Sequence, residues 1–140
     1  QIALIARHGL TDRMIVTGRC SDAALPRHLS AADICALPLA DTIAHRARFP
    51  HKLGDYLACG AAVAVTNVGD YPALLRAADA ACVADSLADF PDALCRLARD
   101  HAWRQHLSTR GREWVARTLD WAVLAPQILA FIEGRSPAPA

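Results

Sequence analysis

The sequence is short of any feature that would give it a one-sided character. Fifteen lysines and arginines face fourteen acidic residues, a formal net charge of +1. The chain therefore carries no electrostatic footprint for nucleic acid or an anionic membrane surface, and any anionic ligand has to be bound locally. No apolar run approaches the roughly 20 residues that a membrane-spanning helix requires, and no signal-peptide pattern opens the chain. Its five cysteines, Cys20, Cys35, Cys59, Cys82 and Cys95, are odd in number, and no two stand in a C-x-x-C or C-x-x-H relation. This argues against a disulfide framework or a metal site, and for a reducing, cytoplasmic setting in which cysteine acts as a small hydrophobe. The first residue is Gln1 and not methionine, which reads as a processed or truncated piece.

What is present is an ordinary globular composition: 140 residues, 54% hydrophobic and 21% charged, the size of one domain. Short apolar runs alternate with longer amphipathic ones, the pattern of a parallel sheet covered by helices. The expected fold is α/β, a Rossmann-like parallel sheet of about four strands followed by a helical C-terminal part. Strands are expected near residues 14–17, 33–38, 62–66 and 81–84, the last three adjacent in that order. Pro50 fits the start of a helix that Gly60 ends, because proline loses nothing where the N–H would be unpaired and glycine accepts the left-handed turn. After Ser86 three helices are expected. The second of them is interrupted at Gly111, and the third starts at an Asp120 N-cap with Trp121, Leu124, Ile128, Leu129 and Ile132 as its apolar side. The tail, residues 134–140, is expected to be disordered.

The stretch "LIARHGLT" around His8 resembles the start of a histidine phosphatase, in which such a histidine takes up phosphate. That chemistry needs a second arginine and a second histidine, normally in a His-Gly context, to neutralise the transferring group. No other His-Gly pair occurs here. The residues read better as the tail of a helix capped at Gly9, with His8 a cation at its C-terminal end.

The informative region is "FPHKLGDYLACGAAVAVTNVGDYPALL", residues 49 to 75: a loop, then a helix whose first turn carries His51 and Lys52, with Asp55 one turn on. A helix N-terminus offers unpaired N–H groups and about half a positive charge, an anion site. Lys52, with Arg46 and Arg48 in the preceding loop, adds cations suited to a diphosphate, and Asp55 is an acceptor suited to the hydroxyl pair of a ribose. The same charges on a surface helix also fit a merely solvated face.

The segment "PHKLGDYLACGAAVAVT" resembles the motif Pro-x-Lys-Leu-x-Glu-Tyr-Leu-Ala-x-Gly-x-Pro-Val-Val-Ala of retaining GT-B glycosyltransferases, the group 1 family. "GLTDRMIVTG", "LPRHLSAADICALPL" and "TLDWAVLAPQIL" resemble further motifs of that family in the right order, so the likeness covers nearly the whole chain. It implies a partial C-terminal, nucleotide-sugar-binding domain over residues 1–133. It also implies transfer of a sugar from a nucleotide diphosphate sugar to an acceptor hydroxyl with retention, with no cofactor.

By the same resemblance Asp55 takes the place of the glutamate that holds the ribose, Gly18, Arg19 and Cys20 fall on the turn near the base, and Arg48, Phe49, Pro50, His51, Lys52 and Leu53 face the diphosphate. Ala47 stands where the family has a second acid and Ala62 where it has proline. The catalytic residues are not assigned. The first two strands of the family's donor domain and its N-terminal acceptor domain are missing from the chain. A fragment of this kind is expected to be inactive alone, and contact with a membrane surface would run through the missing half. A sugar-nucleotide epimerase of the same fold and a non-catalytic binding or scaffold remnant are the alternatives.

Overall fold

The computed structural model describes residues 2–135; most of the expected tail lies outside them. A short helix α1 (Ile2–Arg7) opens the chain. It ends as expected at Gly9, in the left-handed region at φ +65°, with the Leu10 amide donating back to the Ile5 carbonyl at 3.0 Å. His8 therefore sits at a helix end.

The core is a sheet of three parallel strands, β1 (Ile34–Leu37), β2 (Ala62–Thr66) and β3 (Cys82–Ala84), in that spatial order. Ile34 pairs with Ala62 and Leu37 with Val65 on one side of β2, and Val65 with Val83 on the other. Helix α2 (Leu25–Ser30) precedes β1, helices α3 (Ile43–Arg46), α4 (His51–Ala58) and α5 (Tyr71–Ala77) fill the crossovers, and α6 (Phe90–Arg99), α7 (His101–Thr118) and α8 (Trp121–Ile132) follow.

Alternation along β2 divides the interior into two layers. Val63 and Val65 point to one face, where Leu53 and Leu57 of α4 and Leu75 of α5 are fully buried against them. Each such leucine contributes roughly 1.5–3 kcal/mol by leaving water. Ala62 and Ala64 point to the other face, toward Phe90 and Leu97 of α6 and Leu107 of α7. Small residues there let α6 lie close to the sheet. Helix α7 serves both layers, since Leu107 belongs to the second and Val115 to the first.

Three expectations are corrected. Residues 14–17 form no strand: among the described residues β1 pairs only with β2, and Ile15 is 91% exposed. An apolar run becomes a strand only where a neighbour completes its ladder, and no such neighbour flanks this one. Helix α7 runs unbroken through Gly111. That residue is a contact and not a break, for a Cβ there would fall 2.5 Å from Leu57 Cδ2 and 2.9 Å from the Ala80 carbonyl oxygen. The Asp120 cap of α8 is observed, its carboxylate accepting from the Ala122 amide at 2.8 Å, but α8 has no buried residue. The apolar stretch within residues 101–132 lies toward their C-terminal end, over the end of α7 and α8, yet the chain breaks between the two helices, and the 12 residues of α8 reach only about 18 Å, short of a bilayer core of about 30 Å.

Candidate functional site at the carboxyl edge of the sheet

The carboxyl ends of β1 and β2 are tied by one buried side chain. The Thr66 hydroxyl accepts from the Leu39 amide and donates to the Leu39 carbonyl, both at 2.9 Å. This extends the sheet edge past its last ladder bond and fixes where the next loop departs. The loop is then folded on itself: Thr42 caps α3 by accepting from the His45 amide at 3.2 Å, and Arg46 grips Asp41 through two bonds of 2.5 and 2.6 Å. The Arg46 hydrogen bond holds the Asp41 carboxyl below the usual carboxylate range. Arg46 is thereby engaged within its own loop. Arg48 and Lys52, both exposed, make no ion pair among the described residues.

Pro50 precedes α4 and gives it no side-chain cap. The Leu53 amide bonds back to the Pro50 carbonyl at 3.0 Å, while the first-turn amides of His51 and Lys52 face the end of the helix without a capping side chain. The Leu53 side chain is fully buried and Pro50 is buried as well, so these two shape the turn from beneath. The second loop of the edge, after β2, packs directly onto the first: a Cβ on Gly69, at φ +81°, would lie 3.1 Å from the Arg46 carbonyl oxygen, a contact that only glycine permits.

Beside the first turns of α4 lies a cleft of about 600 Å³, closed on its other side by the end of α7 and the start of α8. Phe49, His51 and Asp55 line it, with Arg112, Asp120 and Trp121 opposite. Of the residues singled out in the sequence, the structure thus brings Phe49, His51 and Asp55 together on one wall. Lys52 and Arg48 stand outside that wall. Gly18, at φ +69°, and Arg19 are exposed on a turn that contributes nothing to the cleft lining. Arg112, Asp120 and Trp121 carry no signal in their local sequence that would join them to Asp55; only the antiparallel course of α7 along α4 does so. Within reach of one another, then, are an acceptor carboxylate, two aromatic rings, an arginine and the end of a helix dipole. Such a set can hold an anion and a polyhydroxyl group side by side. No cluster of three or more metal-ligating side chains occurs among the described residues.

A family model described as glycosyl transferases group 1 matches residues 1–100. The chain belongs to that family. The sucrose-phosphate synthase of Thermosynechococcus elongatus superposes with a TM-score of 0.80 at 23% identity, over 94% of this chain and 32% of that one. HepE of Anabaena, solved in complex with UDP, superposes with a TM-score of 0.76 at 16% identity, over 94% of this chain and 35% of that one. At these identities the likeness is one of fold, and it makes the three-stranded sheet with its helices part of a GT-B-like architecture. The chain spans about a third of the length of either solved protein. No curated protein matches its sequence significantly.

Proposed function

We propose that this chain forms the donor side of a retaining glycosyltransferase, with a nucleotide diphosphate sugar bound at the carboxyl edge of the sheet. The observation that carries the reading is the family match across residues 1–100, which includes the uncapped start of α4 and Asp55. The UDP held by HepE supports a nucleoside diphosphate as the ligand class. In the reaction the bond between the anomeric carbon and the diphosphate oxygen breaks, and a bond from the acceptor oxygen to that carbon forms on the same face. The diphosphate leaves with the electron pair, and the proton of the acceptor hydroxyl passes to it. The work left to this chain is electrostatic: α4's first-turn amides, Lys52 and Arg48 meet charge that grows on the leaving group, an interaction stronger in the transition state than before it.

The acceptor site and the remaining donor-domain strands belong, in this reading, to the portion that the longer solved proteins have in addition. The exposed apolar residues of α8, such as Trp121 and Phe131 at 73% and 80%, would face that portion. The five free cysteines support a reducing, cytoplasmic setting.

The test is nucleotide binding by the full-length protein. Lys52→Ala should weaken UDP about 10- to 100-fold, the loss of one charge-assisted hydrogen bond, with little change in the unfolding midpoint. Asp55→Asn should weaken UDP and lose discrimination against 2′-deoxy-UDP, because an acceptor facing the ribose hydroxyls becomes partly a donor. Unaltered UDP affinity in both variants would remove the helix start from the site.

A further inference from the structure

One polar atom at this edge is left without a partner. Tyr71 opens α5 just after β2 and its loop. The residue is 1% exposed, and its buried hydroxyl has no hydrogen-bond partner among the described residues. A purely structural core position is served as well by phenylalanine, which leaves no such group to satisfy. The side chain is therefore costlier than its packing requires, and the place where it sits gives a reason.

The Tyr71 ring is covered by Phe49, edge to face, with centroids 6.0 Å apart at 70°. Phe49 is itself 42% exposed, precedes the first turn of α4 and lines the cleft. Arg48, next to it, is near enough for its guanidinium to favour the ionised phenol, although burial is the larger influence and pushes the phenol above its ordinary value. The hydroxyl thus remains protonated, a donor, at neutral pH. Gly69 seats the loop that leads into Tyr71 against the backbone of α3, and the ring itself lies in the buried core layer with Phe49 packed against it on the cleft side.

We propose that Tyr71 is a donor-binding residue: its hydroxyl gives a hydrogen bond to the diphosphate at the start of α4 when the Phe49 ring moves off it. This deepens the reading of the site as a nucleotide diphosphate sugar site and rests on it. The Phe49 ring, edge to face on Tyr71 in the free protein, must then take a second position stacked outward on the cleft side when the diphosphate is bound. The free protein keeps the first because the second would leave the apolar ring edge of Tyr71 in solvent.

Calorimetric titration of the full-length protein with UDP and with uridine tests this. Tyr71→Phe should lower UDP affinity about tenfold, the size of one hydrogen bond to a charged group, leave uridine affinity within about twofold, and keep or raise the urea midpoint because an unpaired buried hydroxyl is removed. UDP affinity unchanged in Tyr71→Phe, whatever the midpoint does, overturns the proposal, and so does an equal loss for UDP and uridine. A wild-type protein that binds none of UDP, GDP, ADP or dTDP takes the donor reading down as well. Equal UDP binding by wild type and Tyr71→Phe takes down Tyr71 alone.

Discussion

Two stretches of this chain are nearly the same in kind. Met-Ile-Val-Thr at residues 14–17 and Ala-Val-Ala-Val-Thr at 62–66 are short apolar runs ending in threonine before a turn. The second is the middle strand of a parallel sheet, buried at every position. The first has no ladder, and Met14, Ile15 and Val16 are 49%, 91% and 51% exposed. Their propensities do not separate them. β2 has a strand on each side and a helix layer on each face, so its amides are paired and its methyl groups leave water; residues 14–17 have neither. Strand formation here is a property of the neighbourhood, and the run supplies only permission.

The sharpest way to break the comparison is to put a polar side chain into each run. Val63→Asp places a carboxylate in the fully buried centre of the sheet and should cost more than about 4 kcal/mol, enough to abolish folding, as read by circular dichroism. The threonines come next. Thr66→Val leaves the Leu39 amide and carbonyl without their shared partner, which should cost about 1–3 kcal/mol in urea unfolding. Thr17→Val alters an exposed hydroxyl whose contacts, to the Gly18 carbonyl and Cys20, are both at 3.5 Å, and should stay within about 0.5 kcal/mol. The smallest effect is expected from Ile15→Ser. In this chain the midpoint should not move by more than about 0.5 kcal/mol. In a longer form of the protein that carries further donor-domain strands, a loss of about 1–3 kcal/mol would show that the run gains a neighbour there, and an equal midpoint in both would leave it a surface loop.

The same reasoning tells which parts of the fold were legible beforehand. The three paired strands were, because each is an apolar run bounded by turn residues with a helix-length segment between it and the next. The start and end of α4 were as well, since Pro50 and Gly60 act through their own backbone geometry. Gly111 is ambiguous in the sequence because glycine has two uses: it ends helices, and it lets elements touch. Only the position of Leu57 and Ala80 decides between them. For the site, Asp55, His51 and Phe49 could be named from local pattern and family likeness. The opposite wall, Arg112, Asp120 and Trp121, could not, because a cleft between helices is set by how they cross. Arg46 reads from its position as a ligand cation, but the loop folds so that its fork is engaged by Asp41. Tyr71 carried no mark in the sequence at all, since an unpartnered hydroxyl exists only once the chain around it is closed.

Helix α7 carries one more implication. It places Leu107 in one layer of the core and Val115 in the other, on a single unbroken rod. Neither layer can open while the other stays shut without bending that rod or withdrawing a leucine or a valine. The two faces of the sheet are thus joined into one cooperative unit, and local breathing should be confined to the chain ends. Amide protons of β2 and the middle of α7 would then exchange together, at the rate of global opening, while those of α1 and α8 exchange early. A helix that looks like an appendage to the sheet is what makes its two sides unfold as one event.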